Sequence, residues 1–439
     1  MQSRNRALFA LAVLFAINFL NFFDRMIGGA LHEPVKEAFD LSDKQMGAVT
    51  MGFTLLYAFV GVPLGWWSDF GKRTRILSIG VFFWSLLTAA SGLAWSFVSL
   101  FTIRLGVGVG EATCAPAANS LIGDLFPPAA RARALSMFML GLPIGNAFAY
   151  PISGFLAQNY GWRVAFFVAG VPGVLCALLV LAIPEPKRGG TEHHAIGTLK
   201  REGNPFLLVL SIPTMLWIII SGALQNFNMY AIGQFMSAYV IRYHGWELVP
   251  ASYVAACAYG LSGIPGLLLG GFLGDIALHR RSNGRLIVGA TALTISAPLA
   301  YLALNCASGQ VLGFGLLMGL SVGLMYVYYS TVYSSIQDVI EPSLRGTAMA
   351  LYFFAMYTLG GSLGPIMTGT LSDHYRQAAL DSGASPAEAA ASGLHNAMYI
   401  IPILTGALAI VLWAASRTVA KDAAKLQAWM KSAVAEART

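Results

Sequence analysis

Twelve apolar stretches divide this chain, at about 7–31, 45–67, 76–95, 98–122, 133–157 and 164–183, then 206–238, 249–274, 286–304, 310–334, 346–371 and 396–416. Each runs for about 20 residues or more, the length of helix that crosses a hydrocarbon layer ~30 Å thick at ~1.5 Å per residue. No water reaches a backbone amide at that depth, so each stretch must satisfy its own hydrogen bonds as a helix. The sequence therefore predicts an all-α polytopic membrane protein. Charged residues make up 11% of the chain, against about 25% in soluble domains. The opening, a basic MQSRNR and then an apolar run, has the outline of a secretory leader. The run is too long and lacks a small-residue cleavage site, so it reads as a retained first span.

The spacing divides the chain into a first six-helix half at 1–183, a cytoplasmic linker at 184–204, a second half at 205–418 and a tail at 419–439. The halves repeat. Asp124, Pro128, Arg131 and Pro151 recur as Asp338, Pro342, Arg345 and Pro365, all 214 residues on, and Gly65 and Asp69 recur as Gly271 and Asp275, 206 residues on. Twenty of the 27 Lys and Arg fall on the side of the N-terminus, five on the opposite side, and two, Arg25 and Arg104, inside spans. The positive-inside rule then puts both termini in the cytoplasm. The tail has an amphipathic helical rhythm around Leu426, Trp429 and Met430 and is expected on the inner membrane surface.

A net charge of +7 invites a nucleic-acid reading. The charges sit in short loops between apolar runs, with no basic patch interleaved with aromatics, which excludes it. Cys114, Cys176, Cys257 and Cys306 lie in apolar segments with no metal-ligand spacing and read as packing residues. His193 and His194 read as solvated linker residues. There is no nucleotide loop, nucleophile motif or metal cluster, so no enzyme activity, cofactor or metal is expected.

Charges inside the spans point to function. Arg104 and Glu111 bracket RLGVGVGE, two helical turns apart on one face, roughly 10 Å along the axis. Asp24 and Arg25 lie toward the outer end of the first span. An intramembrane charge costs roughly 2.5–3.5 kcal/mol. Four of them unpaired would rival the ~5–15 kcal/mol stability of a whole domain, so they must neutralise one another, protonate or face water. The expected pair is Asp24 with Arg104, with Arg25 either in the group or snorkelling to the outer surface. Asp24 and Glu111 are the candidates for carrying a proton. The second half has no Asp, Glu, Lys or Arg within these stretches and offers Gln225, Asn228 and Tyr230, then Tyr326 and Tyr329. At the cytoplasmic helix ends, GxxxD followed by basic residues, GWWSDFGKRTR and GFLGDIALHRR, sets acids beside cations. Asp69, Arg73, Arg131, Asp275, Arg281 and Arg345 are the candidate gating residues, able to hold the halves together in one state and release them in another.

These motifs resemble the major facilitator superfamily over nearly the full chain: GxxxD with basic residues twice, RLGVGVG, and GLPIGNAFAYP. The first loop departs from the usual pattern, with Phe70 where a basic residue is common and one residue missing. NFFDR at 21–25, RLGVGVGEA at 104–112 and DLFPPAARARALSMFMLGLPIGNAFAY at 124–150 resemble the Spinster lipid transporters. Organic anion symporters share the Asp-Arg pair and the Arg…Glu spacing. The resemblance implies a cavity lined by spans 1, 4, 7 and 10, with Arg104 and Arg25 on the substrate head and Asp24 and Glu111 on the proton. Phe23, beside Phe19, Phe22, Phe227 and Tyr326, would lie along an apolar tail. It implies a monomeric proton-coupled transporter of an anionic amphiphile, such as a lysophospholipid or sphingoid phosphate, among the lipids of a bacterial inner membrane. The rivals are a sugar-acid symporter and a non-transporting membrane sensor.

Overall fold

The computed structural model of the protein describes residues 2–186, 204–341 and 344–436. His193 and His194 and most of the linker lie outside the described residues. Twelve helices among these are long and apolar enough to cross a membrane: α1 Asn5–Ala30, α2 Asp43–Leu64, α3 Arg73–Ser91, α4 Phe97–Leu125, α5 Arg133–Tyr160, α6 Trp162–Leu181, α7 Pro213–His244, α8 Leu248–Arg280, α9 Gly284–Leu304, α10 Val311–Val339, α11 Arg345–Asp381 and α12 Pro386–Met430. No strand occurs among the described residues.

Two spans differ from the hydropathy reading for local reasons. Pro213 cannot donate to a preceding turn, so α7 begins there, after a separate short helix Pro205–Leu210. At its other end α7 overruns the apolar run and reaches His244. The tail is not a separate helix. It continues the last span as one helix, Ile400–Glu436, about 55 Å long. Asp422 in that extension is buried and accepts from the Thr214 amide at 3.0 Å and hydroxyl at 2.7 Å, capping α7. Cys257 is exposed, not packed, while Cys114 and Cys176 are buried as expected.

A finer repeat appears inside the second half. Ala255, Gly260, Ser262 and Pro265 recur 100 residues on as Ala355, Gly360, Ser362 and Pro365. Both copies form a π-helical turn, at Ala256–Leu261 in α8 and Met356–Gly361 in α11. A π turn displaces carbonyls from the helical ladder, and Asn226 of α7 answers one of them, donating to Met356 O at 3.0 Å.

The halves meet along α1 with α7, α2 with α11 and α5 with α8. By the loop charges this seam lies at the outer end. There backbone touches backbone. A Cβ on Gly29 would overlap Gly233 O, and one on Gly47 would overlap Pro365 O. One apolar cluster runs through the seam, with Met26, Ile27 and Tyr150 against Ile232, Phe235 and Tyr259, while the other stays in the first half around Leu14, Trp84 and Leu121. At the inner end the polar contacts among the described residues stay within each half. Overpacking a tight contact costs about 1–3 kcal/mol, roughly 5–150-fold in a population. Gly29→Ala and Gly47→Ala should therefore each raise labelling of a seam cysteine from the outer face by that factor. Gly61→Ala, whose Cβ meets nothing within 4 Å, should leave it unchanged.

Candidate functional site

Helix α4 breaks after Glu111, where the segment Phe97–Glu111 ends and Cys114–Leu125 begins. The glycines before the break let neighbours close in. Cβ atoms on Gly108 and Gly110 would stand 2.8 Å from Phe53 O of α2 and 2.9 Å from the Trp84 amide of α3. Glu111 is thereby fully enclosed, at 0% exposure. On α1, Asp24 and Arg25 are consecutive, so their side chains diverge by about 100° around the helix. Arg25 faces α4, and its Nε donates to Glu111 Oε2 at 2.9 Å. Asn21, one turn earlier on the same face, donates to the same oxygen at 3.0 Å. The far side of the guanidinium reaches the second half, with Nη1 donating to the Tyr230 and Tyr357 hydroxyls at 3.4 and 3.3 Å. Its carbon sits 4.3 Å from the Tyr57 ring centre and 5.1 Å from that of Phe22, within cation–π range.

The pairing is thus not the expected one. Asp24 accepts from the Thr88 hydroxyl of α3 at 3.0 Å, and its Oδ1 has no partner among the described residues. Arg104 reaches the Asp24 backbone carbonyl at 2.9 Å instead of its carboxylate, and its Nη1 also has no partner among them. Arg25 does not snorkel outward. It is the centre of the group.

The structure does not bring every predicted residue here. Tyr230 touches Arg25. Tyr326 is buried against Asn146 Nδ2 at 3.3 Å. Tyr329 stands half-buried in a row that leads to the site: Tyr329 to Tyr333, Tyr333 to Phe353, Phe353 to Tyr357, and Tyr357 to Tyr57 across the seam at 5.0 Å. Gln225 donates to Met325 O at 2.9 Å and Asn228 to Thr405 of α12 at 3.2 Å, both inside the second half, while the amide oxygen of each is buried without a partner among the described residues. Phe23 is buried in the core against Phe19, and its neighbour Phe22 takes the place over Arg25. The reading missed Asn21, Thr88, Tyr57 and Tyr357.

At the inner end Arg73, with its side chain 1% exposed, ties α3 to the ends of α4 and α6 through Asp124, Glu185 Oε1 at 2.7 Å and Ser120 Oγ at 2.8 Å. Arg285 does the same in the second half, binding Asp338 at 2.7 Å and Asp275 at 2.8 Å. It takes the position expected of Arg281, which is exposed, as is Arg345. The side chains of Asp69 and Arg131 lie outside the described residues. Burial pushes the Glu185 carboxyl up, but the Thr74 amide and hydroxyl and the Arg73 guanidinium outweigh it and hold it below the usual carboxylate range. Its contribution is complete above the free carboxylate value of about 4.3 and fades as pH falls through the lowered one, so this knot holds near neutral pH.

The outer seam is fastened by groups read from the sequence as loop residues. Arg242 of α7 binds Asp43 of α2 through both terminal nitrogens, at 2.7 and 2.8 Å, and Glu33 at 2.6 Å. Lys36 and Ser372 also reach the Asp43 carboxylate, each at 2.6 Å. Asp373 of α11 accepts from the Asp43 and Lys44 amides at 3.0 and 2.8 Å, capping α2. Removing one partner of a buried ion pair costs about 3–5 kcal/mol. Arg242→Ala should destabilise the closed outer seam by about that much, seen as faster outer-face labelling. Glu33→Gln, at a site 23% exposed, should cost under about 1 kcal/mol.

A family model described as Major Facilitator Superfamily matches residues 14–365. The chain is 28% identical to an MFS-type efflux pump of Mycolicibacterium smegmatis, over 95% of this chain and 94% of that one. It is 28% identical to a hexuronate transporter of Bacillus subtilis, over 82% and 86%, and 30% identical to spinster homolog 1 of Bos taurus, over 83% and 73%. Among solved structures, a bacterial homolog of the human lysosomal transporter Spinster, inward-facing and unoccupied, superposes with TM-score 0.85 at 27% identity, over 95% of this chain and 98% of that one.

Proposed function

The chain belongs to the major facilitator superfamily and is a Spinster-like transporter, not an enzyme, and from that premise we propose that it carries an anionic amphiphile across the membrane in exchange or in company with protons. The observation that supports this most is the position of Arg25. Its guanidinium is shared between Glu111 of its own half and two tyrosine hydroxyls of the other. An anionic head that takes over those contacts spans the point where the halves meet, which is where a rocking transporter needs its substrate. The row of half-buried aromatics from Tyr57 through Tyr357, Phe353 and Tyr333 to Tyr329 offers an apolar track for a tail. A lysophospholipid or sphingoid phosphate has that shape.

The proton belongs on Asp24 and Glu111. Among the described residues Asp24 has no cation within ion-pair distance and one carboxylate oxygen without a partner, though it is 1% exposed. A buried charge so placed is costly, and a proton removes the cost. Glu111 is matched by Arg25 only while Arg25 is not given to the substrate. The protein would work as a monomer in a bacterial inner membrane, with both termini cytoplasmic. The similarity to a hexuronate transporter favours one other reading, a small sugar acid on Arg25 without the aromatic track.

Two measurements separate these. In liposomes, Asp24→Asn and Glu111→Gln should each lose pH-gradient-driven uptake while facilitated exchange persists, and full coupling in both variants and in the double variant removes the proton assignment. In a thermal-shift series, a lysophospholipid at ~100 times its dissociation constant should add about 2.7 kcal/mol of stability, with Phe353→Ala and Tyr333→Ala weakening it. Stabilisation by hexuronate alone, insensitive to both variants, would establish the sugar-acid reading instead.

A further inference from the structure

Between the central charges and the outer fastening lies a cavity of about 20 Å³, whose walls include Arg104, Thr50, Gln234, Gly28, Val49 and Phe166. One water needs roughly 10–15 Å³ and two to four polar partners. Arg104 brings a nine-tenths buried N–H with no partner among the described residues, and Thr50 and Gln234 bring oxygens. From there the polar groups form a chain in one direction. The Thr50 hydroxyl donates to Gln234 Oε1 at 2.8 Å. Gln234 Nε2 lies 2.9 Å from His32 Nδ1, and His32 Nε2 lies 3.3 Å from Asp43 Oδ1. Gln234 offers an N–H and Asp43 only acceptors, so the tautomer of His32 that satisfies both carries its proton on Nε2. Every donor therefore points away from the cavity and toward the Asp43 carboxylate that Arg242 holds. A chain aligned between a cation and an anion polarises along its length.

We infer that a single water binds between Arg104, Thr50 and Gln234, and that through His32 it couples the central charges to the outer fastening. The inference rests on the reading of Asp24 as a group that changes charge. The water takes the free Arg104 N–H and donates to the Thr50 oxygen, completing an unbroken line from the carbonyl of Asp24, which Arg104 also holds, to Asp43. A change of charge at Asp24 alters what Arg104 gives to the water, and the line carries that change across the seam, since Gln234 is in the second half and Thr50 and His32 are in the first. Gln234 and Thr50 are positioning residues in this scheme. They touch neither the substrate nor the proton.

Gly28 makes the water testable. It lines the cavity, and a Cβ there meets nothing within 4 Å, so Gly28→Ala fills the space without a clash, and Gly28→Ser puts a hydroxyl where the water binds. The full-length protein in nanodiscs, without its native cysteines and spin-labelled at Glu37→Cys and Ser382→Cys, reports opening of the outer seam. Asp24→Asn should change the open fraction about fivefold in the native background, less than twofold beside Gly28→Ala, Gln234→Leu or Thr50→Val, and again about fivefold beside Gly28→Ser. An equal Asp24→Asn effect in all backgrounds, no effect in the native one, or loss of coupling in Gly28→Ser as in Gly28→Ala would each overturn the inference. Proton-driven uptake by Asp24→Asn is read separately in liposomes, so failure of the coupling leaves the proton assignment standing, and failure of that assignment shows in uptake alone.

Discussion

The ion pair between Arg25 and Glu111 is the contact on which the rest turns. In a low-dielectric bundle neither charge is tolerable alone, and Arg25 has been placed so that its partner is in the same half while its spare N–H groups reach the other. Asp24, Arg25, Arg104 and Glu111 together sum to zero. Any anion added to the group, or any proton, disturbs that sum and has to be answered elsewhere. The local structure serves this one arrangement. The helix break at Glu111, the glycines that admit Phe53 and Trp84, and the divergence of two consecutive side chains on α1 all fix which charge meets which.

The seam around that pair is made of two unlike parts. Near the outer end it is backbone on backbone, closed by glycines and a continuous apolar cluster, with Asp43 and Arg242 locked at its rim. In the middle it is aromatic and half-exposed. The closed part suits a contact that must seal and then separate as a unit, because glycine surfaces meet without side chains that would have to repack. The aromatic part suits a surface that must accept more than one shape of guest.

Much of this was legible in the sequence, and the limits are instructive. The spans, the two halves and the four central charges were visible because a charge in an apolar run is rare and a constant offset of 214 residues is hard to produce by accident. Which charge pairs with which was not, because Asp24 and Arg25 differ by one residue and hence by a helical facing that no hydropathy pattern records. Tyr57 and Tyr357 were invisible among 17 tyrosines, and Gln225 and Asn228 looked available only because their partners Met325 and Thr405 are distant in sequence. The outer fastening was missed because the apolar run of α7 ends before the helix does, so Arg242 read as a loop residue. Arg285 was passed over for Arg281 because the second loop is six residues longer: Arg73 follows Asp69 by 4 residues, Arg285 follows Asp275 by 10, and Arg281 stands nearer the acid at 6.

The distribution of strong and weak contacts explains how such a molecule can move. Arg73 and Arg285 knot the inner ends, and each knot lies within one half, so it stiffens a body without joining it to the other. Arg25 with Glu111 is likewise internal to the first half. What crosses at the Arg25 group is two long hydrogen bonds from a cation to neutral hydroxyls, worth at most roughly 1.5–3 kcal/mol each at full strength, and Asn146 with Tyr326 adds a neutral one. What crosses at the rim is Asp43 with Arg242, a buried pair whose disruption costs about 3–5 kcal/mol. The larger resistance to opening therefore lies at the rim, away from the Arg25 group. A guest that only replaced the tyrosine hydroxyls would loosen the centre and leave the outer seam shut. On the proposed coupling, a charge change at the centre reaches Asp43 through the polar contacts of Thr50, Gln234 and His32, which run from the cavity to the rim.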